Sequence, residues 1–410
     1  MAPESSRWEA LLARFAATVE AAGYGLVVSP MFEDIGVFRR LGEGTDVVTK
    51  EMYDFHDKGD PPRHIALRPE GTASVVRAFV QHHPVTPWKA WYATPAFRYE
   101  APQAGRYRQH HQVGIEALGT DDPDLDVEVL TLGHDYLRSL GLKRFDLLLN
   151  SMGTRADRTR YVDALRTWLE ARVGDLAEDD RAKVATNPMR VLDSKRKETR
   201  EAVADAPRIT DHLSDEAGAH FERVRAGLAA LGITYVLEPR LVRGLDYYTH
   251  TTFEFQSSAL DAAQSTILGG GRYDGLAEDL GGPATPGIGF GSGIERALLA
   301  CDAEGVFPAP ESTVDVFVVD AVSGESAGIA ARDLTTELRR AGLRADRAYD
   351  GRSMRAQMKA AHRSGAKVAL LVGDQEAADG TVSVRSMQTD EREQHTVARA
   401  DVVAHLTSGS

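Results

Sequence analysis

Side chains that could do chemistry concentrate in the stretch FRYEAPQAGRYRQHHQVGIEALG, residues 97–119. Alternate residues of a strand point to one face of a sheet, and three residues here share such a face: Gln112, Gly114 and Glu116. A buried carboxylate needs a partner, so this face favours a ligand site over core. Three nearby arginines have guanidinium groups suited to phosphate oxygens: Arg98, Arg106 and Arg108. A polar hairpin on a solvated sheet edge is the alternative interpretation.

Two glycine-rich stretches could let the backbone approach a nucleotide closely. They are GGGRYDGL, residues 269–276, and GIGFGSGIERALLA, residues 287–300, which carries Arg296. We reject a dinucleotide-binding fold, because no long βαβ unit or downstream ribose-binding acid accompanies these glycines. Taken alone, Arg296 is more simply a helix-surface arginine, and the pair Tyr247 and Tyr248 is more simply core. No Ser-His-Asp or Cys-His nucleophile stands out.

An antiparallel sheet is the element expected to position these side chains. Short strand-like runs are separated by turn residues rather than by regular helices: 26–28, 64–67, 89–92, 96–99 and 112–117. Apolar residues at helical spacing predict a helix before them, ended by Gly23: Trp8, Leu11, Leu12, Phe15 and Val19. Residues 153–231 are charged, rich in alanine and without strand signal, which predicts a helical insertion. Strand signals resume over 235–256.

After Pro308 and Pro310 the pattern changes to alternating strands and a helix. Residues 314–319 and 368–372 are apolar runs, and 327–338 has the spacing of an amphipathic helix. This alternation predicts a small α/β domain of about a hundred residues beyond a proline-containing linker. Residues 332–367 contain ten Lys/Arg and four Asp/Glu, which indicates a polyanionic partner, with a solvated helix surface as the alternative.

Composition limits the class of protein. The 410 residues exceed one compact core and predict two or three domains, for which 42% hydrophobic residues supply the cores. No stretch has the ~18 consecutive apolar residues of a membrane helix, and the N-terminus lacks a signal-peptide pattern. The lone Cys301 excludes a disulfide framework and a cysteine-rich zinc site, so we expect a cytoplasmic protein. The net charge of -13 argues against broad, non-specific nucleic-acid binding.

Taken together, the motifs resemble those of the histidyl-tRNA synthetase family of class II aminoacyl-tRNA synthetases. Residues 97–119 resemble its motif 2, and residues 287–300 resemble its motif 3. The segment LVRGLDYYTHTTFEF, residues 241–255, resembles the family's histidine-binding signature, and residues 42–72, ending in LRPEGT, resemble its histidine-site entry. Residues 352–373 resemble part of its anticodon-binding domain. The joint occurrence of RGLDYY and GRYRQHHQVGIE is highly specific.

The resemblance implies an α+β fold. Its core is the antiparallel sheet of class II synthetases flanked by helices, with a helical insertion and a C-terminal α/β anticodon-binding domain. It implies four segments: 1–152, the first part of the catalytic core with motifs 1 and 2; 153–232, the helical insertion; 233–308, the second part of the core with the histidine-binding segment and motif 3; and 313–410, the anticodon-binding domain.

The resemblance also implies roles for individual residues. In catalysis, Arg98 holds the α-phosphate, Arg296 holds the γ-phosphate, and Arg243 lies between the substrate carboxylate and the α-phosphate. The implied ATP-binding set is Arg98, Glu100, Arg106 and Arg296. The implied histidine-binding set is Glu70, Gly71, Thr72, Gln112, Glu116, Arg243, Tyr247, Tyr248 and Tyr273. Within it, the amine is assigned to Glu70, Thr72 and Gln112, and the ring to Glu116 and Tyr248. Arg272 is expected to border the same pocket.

The implied activity is activation of L-histidine with ATP and its transfer to the histidine tRNA by a homodimer. Mg²⁺ is expected on the pyrophosphate oxygens, with no protein metal site. Two alternatives are a regulatory subunit of ATP phosphoribosyltransferase and a synthetase-like paralogue acting on a free amino acid or a carrier. The basic C-terminal domain argues against both. The chain departs from the family pattern at Ala101 and His110, and a short segment usual before PESSRWEAL is missing, which we expect to weaken dimerisation.

Overall fold

A computed structural model of the protein describes all residues except 2, 41–46, 100–104, 106, 195, 243–246, 262–263, 311–313, 388–393 and 409–410. The chain divides into two compact units. One is Trp8–Pro308, and the other is Ala309–Ser410 together with Met1–Arg7. Within the described residues, no helix is both long enough and apolar enough to cross a membrane.

The chain up to Pro308 contains eleven described strands and eleven described α-helices. The strands are β1 (Gly25–Leu26), β2 (Phe32–Asp34), β3 (Asp54–His56), β4 (His64–Leu67), β5 (Trp88–Phe97), β6 (Gln109–Leu118), β7 (Phe145–Ser151), β8 (Val236–Leu237), β9 (Thr249–Ser257), β10 (Thr266–Arg272) and β11 (Gly287–Gly293). The helices are α1 (Glu4–Glu20), α2 (Ile35–Arg39), α3 (Thr72–His82), α4 (Pro123–Ser139), α5 (Arg155–Glu170), α6 (Glu178–Thr186), α7 (Met189–Leu192), α8 (Lys197–Ala202), α9 (Asp215–Ala230), α10 (Leu276–Asp279) and α11 (Ile294–Glu304).

Eight of these strands form one sheet in the order β1-β5-β6-β11-β10-β9-β7-β8. The six central strands pair antiparallel, and only the two-residue edge strands β1 and β8 pair parallel with their neighbours. The predicted antiparallel sheet is therefore confirmed. The strands β2, β4 and β3 form a second, smaller antiparallel sheet in that order.

The large sheet has one apolar face and one polar face because its strands alternate in residue type. On β6, Val113, Ile115 and Ala117 are buried in a core shared with side chains of α1, α4, α9 and α11. From α1, Leu11 and Phe15 enter the same core, as the helical spacing predicts. We call this helix-covered side the back face and the opposite side the front face. The front face carries Gln112, Gly114 and Glu116.

Between β7 and β8, the described residues form helices and loops without a strand, as their charged composition predicts. Helix α5 begins with a capping box, in which Thr154 and Asp157 each accept a hydrogen bond from the other's backbone N–H. Apolar side chains of this segment join a second core with residues of α2 and α3. The boundaries assigned to the insertion, 153 and 232, stay predictions.

The second unit contains a separate five-stranded sheet. Its strands are β12 (Val316–Ala321), β13 (Ala345–Arg347), β14 (Val368–Gly373), β15 (Thr381–Ser386) and β16 (Gln394–Ala398), in the order β13-β12-β14-β15-β16. Its helices are α12 (Ile329–Arg340), α13 (Met354–Arg363), α14 (Asp374–Asp379) and α15 (Val402–Thr407). Apolar side chains form one core on each face of this sheet, so the predicted α/β domain is confirmed.

Candidate active site

The floor of the candidate site is a patch of glycines on the front face of the large sheet. Strand β6 places Glu116 opposite Gly289 of β11, and Gly114 opposite Gly291. A Cβ atom on Gly289 would overlap Glu116 Oε2, and one on Gly114 would overlap the ring of Tyr92. These glycines therefore leave the space that the front-face side chains occupy.

Glu116 is fully buried and accepts hydrogen bonds from two hydroxyl groups. Thr72 Oγ1 donates to its Oε1 over 2.6 Å, and the Tyr273 hydroxyl donates to its Oε2. Burial raises the pKa of Glu116 to about 8, although both hydrogen bonds act in the opposite direction. A carboxyl group in this state can exchange a proton near neutral pH or accept a hydrogen bond from a polar ring.

Glu70 lies beside this group, at the start of α3. Its carboxylate accepts hydrogen bonds from the backbone N–H groups of Thr72 and Ala73, over 2.7 and 2.8 Å. Burial raises the pKa of Glu70, whereas these hydrogen bonds and the charge of Arg98 oppose the rise. Gly71 lies between Glu70 and Thr72 in the chain, and a Cβ atom on Gly71 would overlap the ring of Tyr92. The predicted residues Glu70, Gly71 and Thr72 are thus brought to Glu116.

Gln112 presents a further polar group to the front face. Its Oε1 is buried and makes no hydrogen bond with any described residue. A buried acceptor without a partner costs folding free energy, about 1–3 kcal/mol, so such groups are characteristic of binding sites. An amine is the kind of donor that it could accept from.

Three tyrosines form the wall of the site. The Tyr247 and Tyr248 hydroxyls lie 3.5 Å apart, and the Tyr247 ring meets the Tyr273 ring edge-on at 5.8 Å. All three side chains are buried. Burial raises the pKa of Tyr247 and of Tyr273 well above the usual value, so both hydroxyls remain protonated donors at neutral pH.

Besides burial, two predicted arginines, Arg98 and Arg296, both lower the pKa of His110 on β6. Arg98 follows β5, and its Nε donates to Pro69 O over 2.9 Å. Arg296 of α11 donates from Nε to Gly105 O over 3.2 Å and from Nη1 to Thr266 O over 3.1 Å. Burial, followed by the charges of Arg98 and Arg296, lowers the pKa of His110 to about 3. His110 is therefore neutral and adds no positive charge to the arginine pair.

Some predicted residues are not in the described part of the chain. Arg243, Glu100 and Arg106 lie outside the described residues, and so does Ala101. Arg108 is described, and its guanidinium lies over the ring of Tyr99 at 4.7 Å.

Arg272 does not border the pocket, contrary to expectation. It pairs with Ile288 of β11, so strand alternation directs it to the back face, where it is fully buried against Asp126 of α4. Sequence reasoning did not identify Tyr92 as a residue of the site. Its ring fills the space next to Gly71 and Gly114. Its role follows from the pairing of β5 with β6, which spacing within one strand cannot reveal.

Comparisons with known proteins agree along the whole chain. The sequence profile described as "Histidyl-tRNA synthetase" matches residues 1–297, and the one described as "Anticodon binding domain" matches residues 315–408. A histidine–tRNA ligase of Rhodococcus opacus is 49% identical over 408 residues, covering 98% of this chain and 94% of its own. One of Levilactobacillus brevis is 50% identical over 371 residues, covering 88% and 85%.

Solved structures give the same result. The apo histidyl-tRNA synthetase of Staphylococcus aureus aligns with a TM-score of 0.81 at 38% identity, covering 99% of this chain and 97% of that one. A structure titled as an ATP phosphoribosyltransferase regulatory subunit/histidyl-tRNA synthetase from Bacillus halodurans aligns with a TM-score of 0.60 at 19% identity, covering 90% and 94%, which shows a shared fold alone. Since the profile and the relatives span most of the sequence, the chain belongs to the histidyl-tRNA synthetase family.

Proposed function

We propose that the protein is a histidine–tRNA ligase. It joins L-histidine to the α-phosphate of ATP, releases pyrophosphate, and transfers histidine from the adenylate to the 3′ end of its tRNA. The observation that carries the proposal is Glu116, fully buried between the hydroxyls of Thr72 and Tyr273 on a glycine floor. A buried carboxyl group with hydroxyl neighbours suits a small substrate that carries hydrogen-bonding ring nitrogens.

In this proposal, different polar side chains bind the ring and the amine of histidine. Glu116 accepts from one ring nitrogen, and the hydroxyl of Tyr248 contacts the other. The amine is held by Glu70, Thr72 and Gln112, and the unpaired Oε1 of Gln112 supports this assignment. Recognition through buried polar groups rejects analogues that lack matching groups, by about 10⁴-fold in favourable cases.

The reaction brings two anions together, so the site needs fixed positive charge. We assign Arg98 to the α-phosphate and Arg296 to the γ-phosphate. Both assignments follow the family resemblance. Arg98 is anchored next to Glu70 by its hydrogen bond to Pro69 O, and Arg296 is anchored by its hydrogen bond to Gly105 O. By family resemblance, Arg243 screens both reacting anions, and Glu100 and Arg106 complete the ATP contacts.

Mg²⁺ would neutralise the pyrophosphate oxygens of ATP. In the described part of the chain, no group of three or more His, Cys, Asp or Glu side chains is arranged to hold a metal ion. We propose that the ion is held mainly by the phosphates and arrives with ATP.

The second unit supplies the tRNA contact in this proposal. Its match to an anticodon-binding domain and its basic segment 332–367 support binding of single-stranded anticodon bases and their phosphates. We further propose a cytoplasmic homodimer, with its interface near residues 23–30. Exposed apolar side chains in that region support this, among them Leu26 and Val28.

Histidine-dependent exchange of pyrophosphate into ATP, followed by charging of histidine tRNA, tests the function. We expect both activities, and we expect histidine alone among the twenty amino acids to support the exchange. Absence of exchange would favour a regulatory protein with a synthetase fold, and exchange without charging would favour a paralogue acting on another acceptor.

A further inference from the structure

A buried polar cluster lies on the back face of the sheet, behind the histidine pocket. Its centre is Arg272 of β10, which is fully buried, as is its partner Asp126 of α4. Arg272 Nε donates to Asp126 Oδ1 over 3.0 Å, and Nη2 donates to the same oxygen. Its Nη1 also donates to Thr120 O over 3.0 Å and to Asp274 Oδ1 over 3.3 Å, and its Nη2 donates to Asp122 O over 3.4 Å. A buried guanidinium with this many partners has one stable position.

Tyr273, the next residue, acts on the opposite face. Consecutive residues of an extended chain point to opposite sides, so Arg272 reaches α4 while the Tyr273 hydroxyl donates to Glu116. The backbone N–H of Tyr273 donates to Gly287 O over 2.7 Å, which continues the sheet pairing. The position of the Tyr273 hydroxyl therefore depends on where Arg272 is anchored.

Asp126 is in turn held from the helical segment between β7 and β8. His220 of α9 places its Nε2 2.8 Å from Asp126 Oδ2, and 11% of the His220 side chain is exposed. The ring of His220 packs against the ring of His250, with centroids 4.9 Å apart. Arg272 binds both carboxylate oxygens, with the shorter contacts to Oδ1, and His220 binds Oδ2, so the carboxylate is held from two elements.

We propose that His220 and Asp126 are positioning residues for histidine recognition. They hold Arg272, and through it the strand end that carries Tyr273, so that the hydroxyl meets Glu116 in the geometry that the substrate ring requires. The proposal rests on the proposed function. It makes the affinity for histidine depend on the packing of α9 against α4, although neither residue is assigned to the histidine or ATP site.

Three variants test this through separate Michaelis constants for histidine and ATP in pyrophosphate exchange. His220→Leu removes the donor but approximately keeps the side-chain volume. We expect the KM for histidine to rise roughly 3- to 10-fold, with the KM for ATP nearly unchanged. His220→Gln restores an amide donor at the reach of Nε2 and should recover most of the loss. Asp126→Asn keeps the volume, removes the charge and should give the same selective rise.

Arg223→Gln is the matched control. Arg223 joins the same two helices through an ion pair with Asp124 over 2.8 Å, but 58% of its side chain and 64% of its partner's are exposed. An exposed pair of this kind contributes little to stability, and the described contacts of Arg223 are with the carboxylates of Asp122 and Asp124 rather than with Arg272. We expect wild-type Michaelis constants for both substrates.

Calorimetric titration with histidine alone and melting curves separate recognition from folding. Weaker histidine binding by His220→Leu, recovered in His220→Gln, supports the positioning role. Equal changes in both Michaelis constants, or a lower melting temperature with unchanged histidine binding, would show that the contact only stabilises the fold. If wild-type protein lacks histidine-dependent exchange, the proposed function fails, whereas active wild type with an unaltered His220→Leu overturns only this inference.

Discussion

At the residue scale, Glu116 offers the most direct test of substrate recognition. Glu116→Gln keeps the side-chain volume but replaces one acceptor oxygen with an NH₂ group, which cannot accept from a ring N–H. Leaving a buried hydrogen-bonding group without its partner costs about 1–3 kcal/mol, so we expect the KM for histidine to rise roughly 10- to 100-fold. The KM for ATP should change little. Tyr248→Phe should show the same selectivity with a smaller rise, and equal effects on both substrates would contradict the assignment.

The raised pKa of Glu116 also predicts how the stability of Glu116→Gln depends on pH. The pKa of Glu116 is about 8 in the folded protein, above its usual value of 4.5, so folding takes up a proton between these values. The contribution of Glu116 to stability is therefore favourable at low pH and is lost as the pH rises through 8. Glutamine does not titrate. We expect the melting temperature of Glu116→Gln to exceed that of wild type by more at pH 9 than at pH 5. A pH-independent difference would contradict the raised pKa.

Residues of one strand could be predicted to share a face, whereas partners from distant strands could not. The two-residue period of β6 sufficed to group Gln112 with Glu116. Thr72 and Tyr273, which donate to Glu116, lie 44 and 157 residues away along the chain, and only the tertiary fold brings them together. The direction of Arg272 likewise depends on its register with β11, which no local pattern determines.

At the element scale, strand β11 tests whether the glycine floor is required. A Cβ atom on Gly289 would overlap Glu116 Oε2 and Ile115 O, and a strand backbone has little freedom to retreat. Gly289→Ala should therefore weaken histidine binding at least about 10-fold, since overpacking typically costs 1–3 kcal/mol. Binding is measured by calorimetric titration. Gly218→Ala in α9 is the control, because its Cβ atom meets nothing within 4 Å. Wild-type binding by Gly289→Ala would contradict the role of the floor.

Element types could mostly be predicted from periodicity, and their lengths less well. The run at 64–67 corresponds to β4. The sequence predicts separate strands at 89–92 and 96–99, but the first and the start of the second belong to the single strand β5, which ends at Phe97. Pro95 lies within β5, where a proline is expected to interrupt the pattern. The glycines at 269–271 belong to strand β10, because neighbouring strands on both sides stabilise residues with low strand preference. Over 235–256, the described strands cover only Val236–Leu237 and Thr249 onward.

At the scale of the whole molecule, the two units have separate cores, which predicts separable activities. Among the described residues, apolar clusters of the first unit contain none after Phe307, and those of the second contain none before Val314. A protein ending at residue 310 should therefore keep histidine-dependent exchange. Its tRNA charging, expressed as kcat/KM for tRNA, should fall roughly 10- to 100-fold through loss of the basic segment. Undiminished charging would contradict the proposed anticodon contact.

The proposed dimer can be tested at one edge of the large sheet. Among the described strands, the edge strand β1 pairs with β5 alone. The chain around it exposes a series of apolar side chains: Leu26 by 55%, Val28 by 87%, Met31 by 50% and Phe32 by 52%. Contiguous exposed apolar surface beside an edge strand is characteristic of an interface. We therefore expect the wild-type protein to sediment as a dimer.

Val28→Asp should shift that equilibrium towards monomer, because a carboxylate buried at the interface without a partner opposes association by several kcal/mol. The control is Val236→Asp, a side chain that is 50% exposed on β8 at the opposite edge of the same sheet. Both variants add the same charge in or close to a two-residue edge strand, so a general effect of charge would appear in both. Analytical ultracentrifugation over a range of concentrations distinguishes them. If Val28→Asp remains a dimer, the interface does not lie at this edge. If the wild-type protein is a monomer with full exchange and charging activity, a dimer is not required.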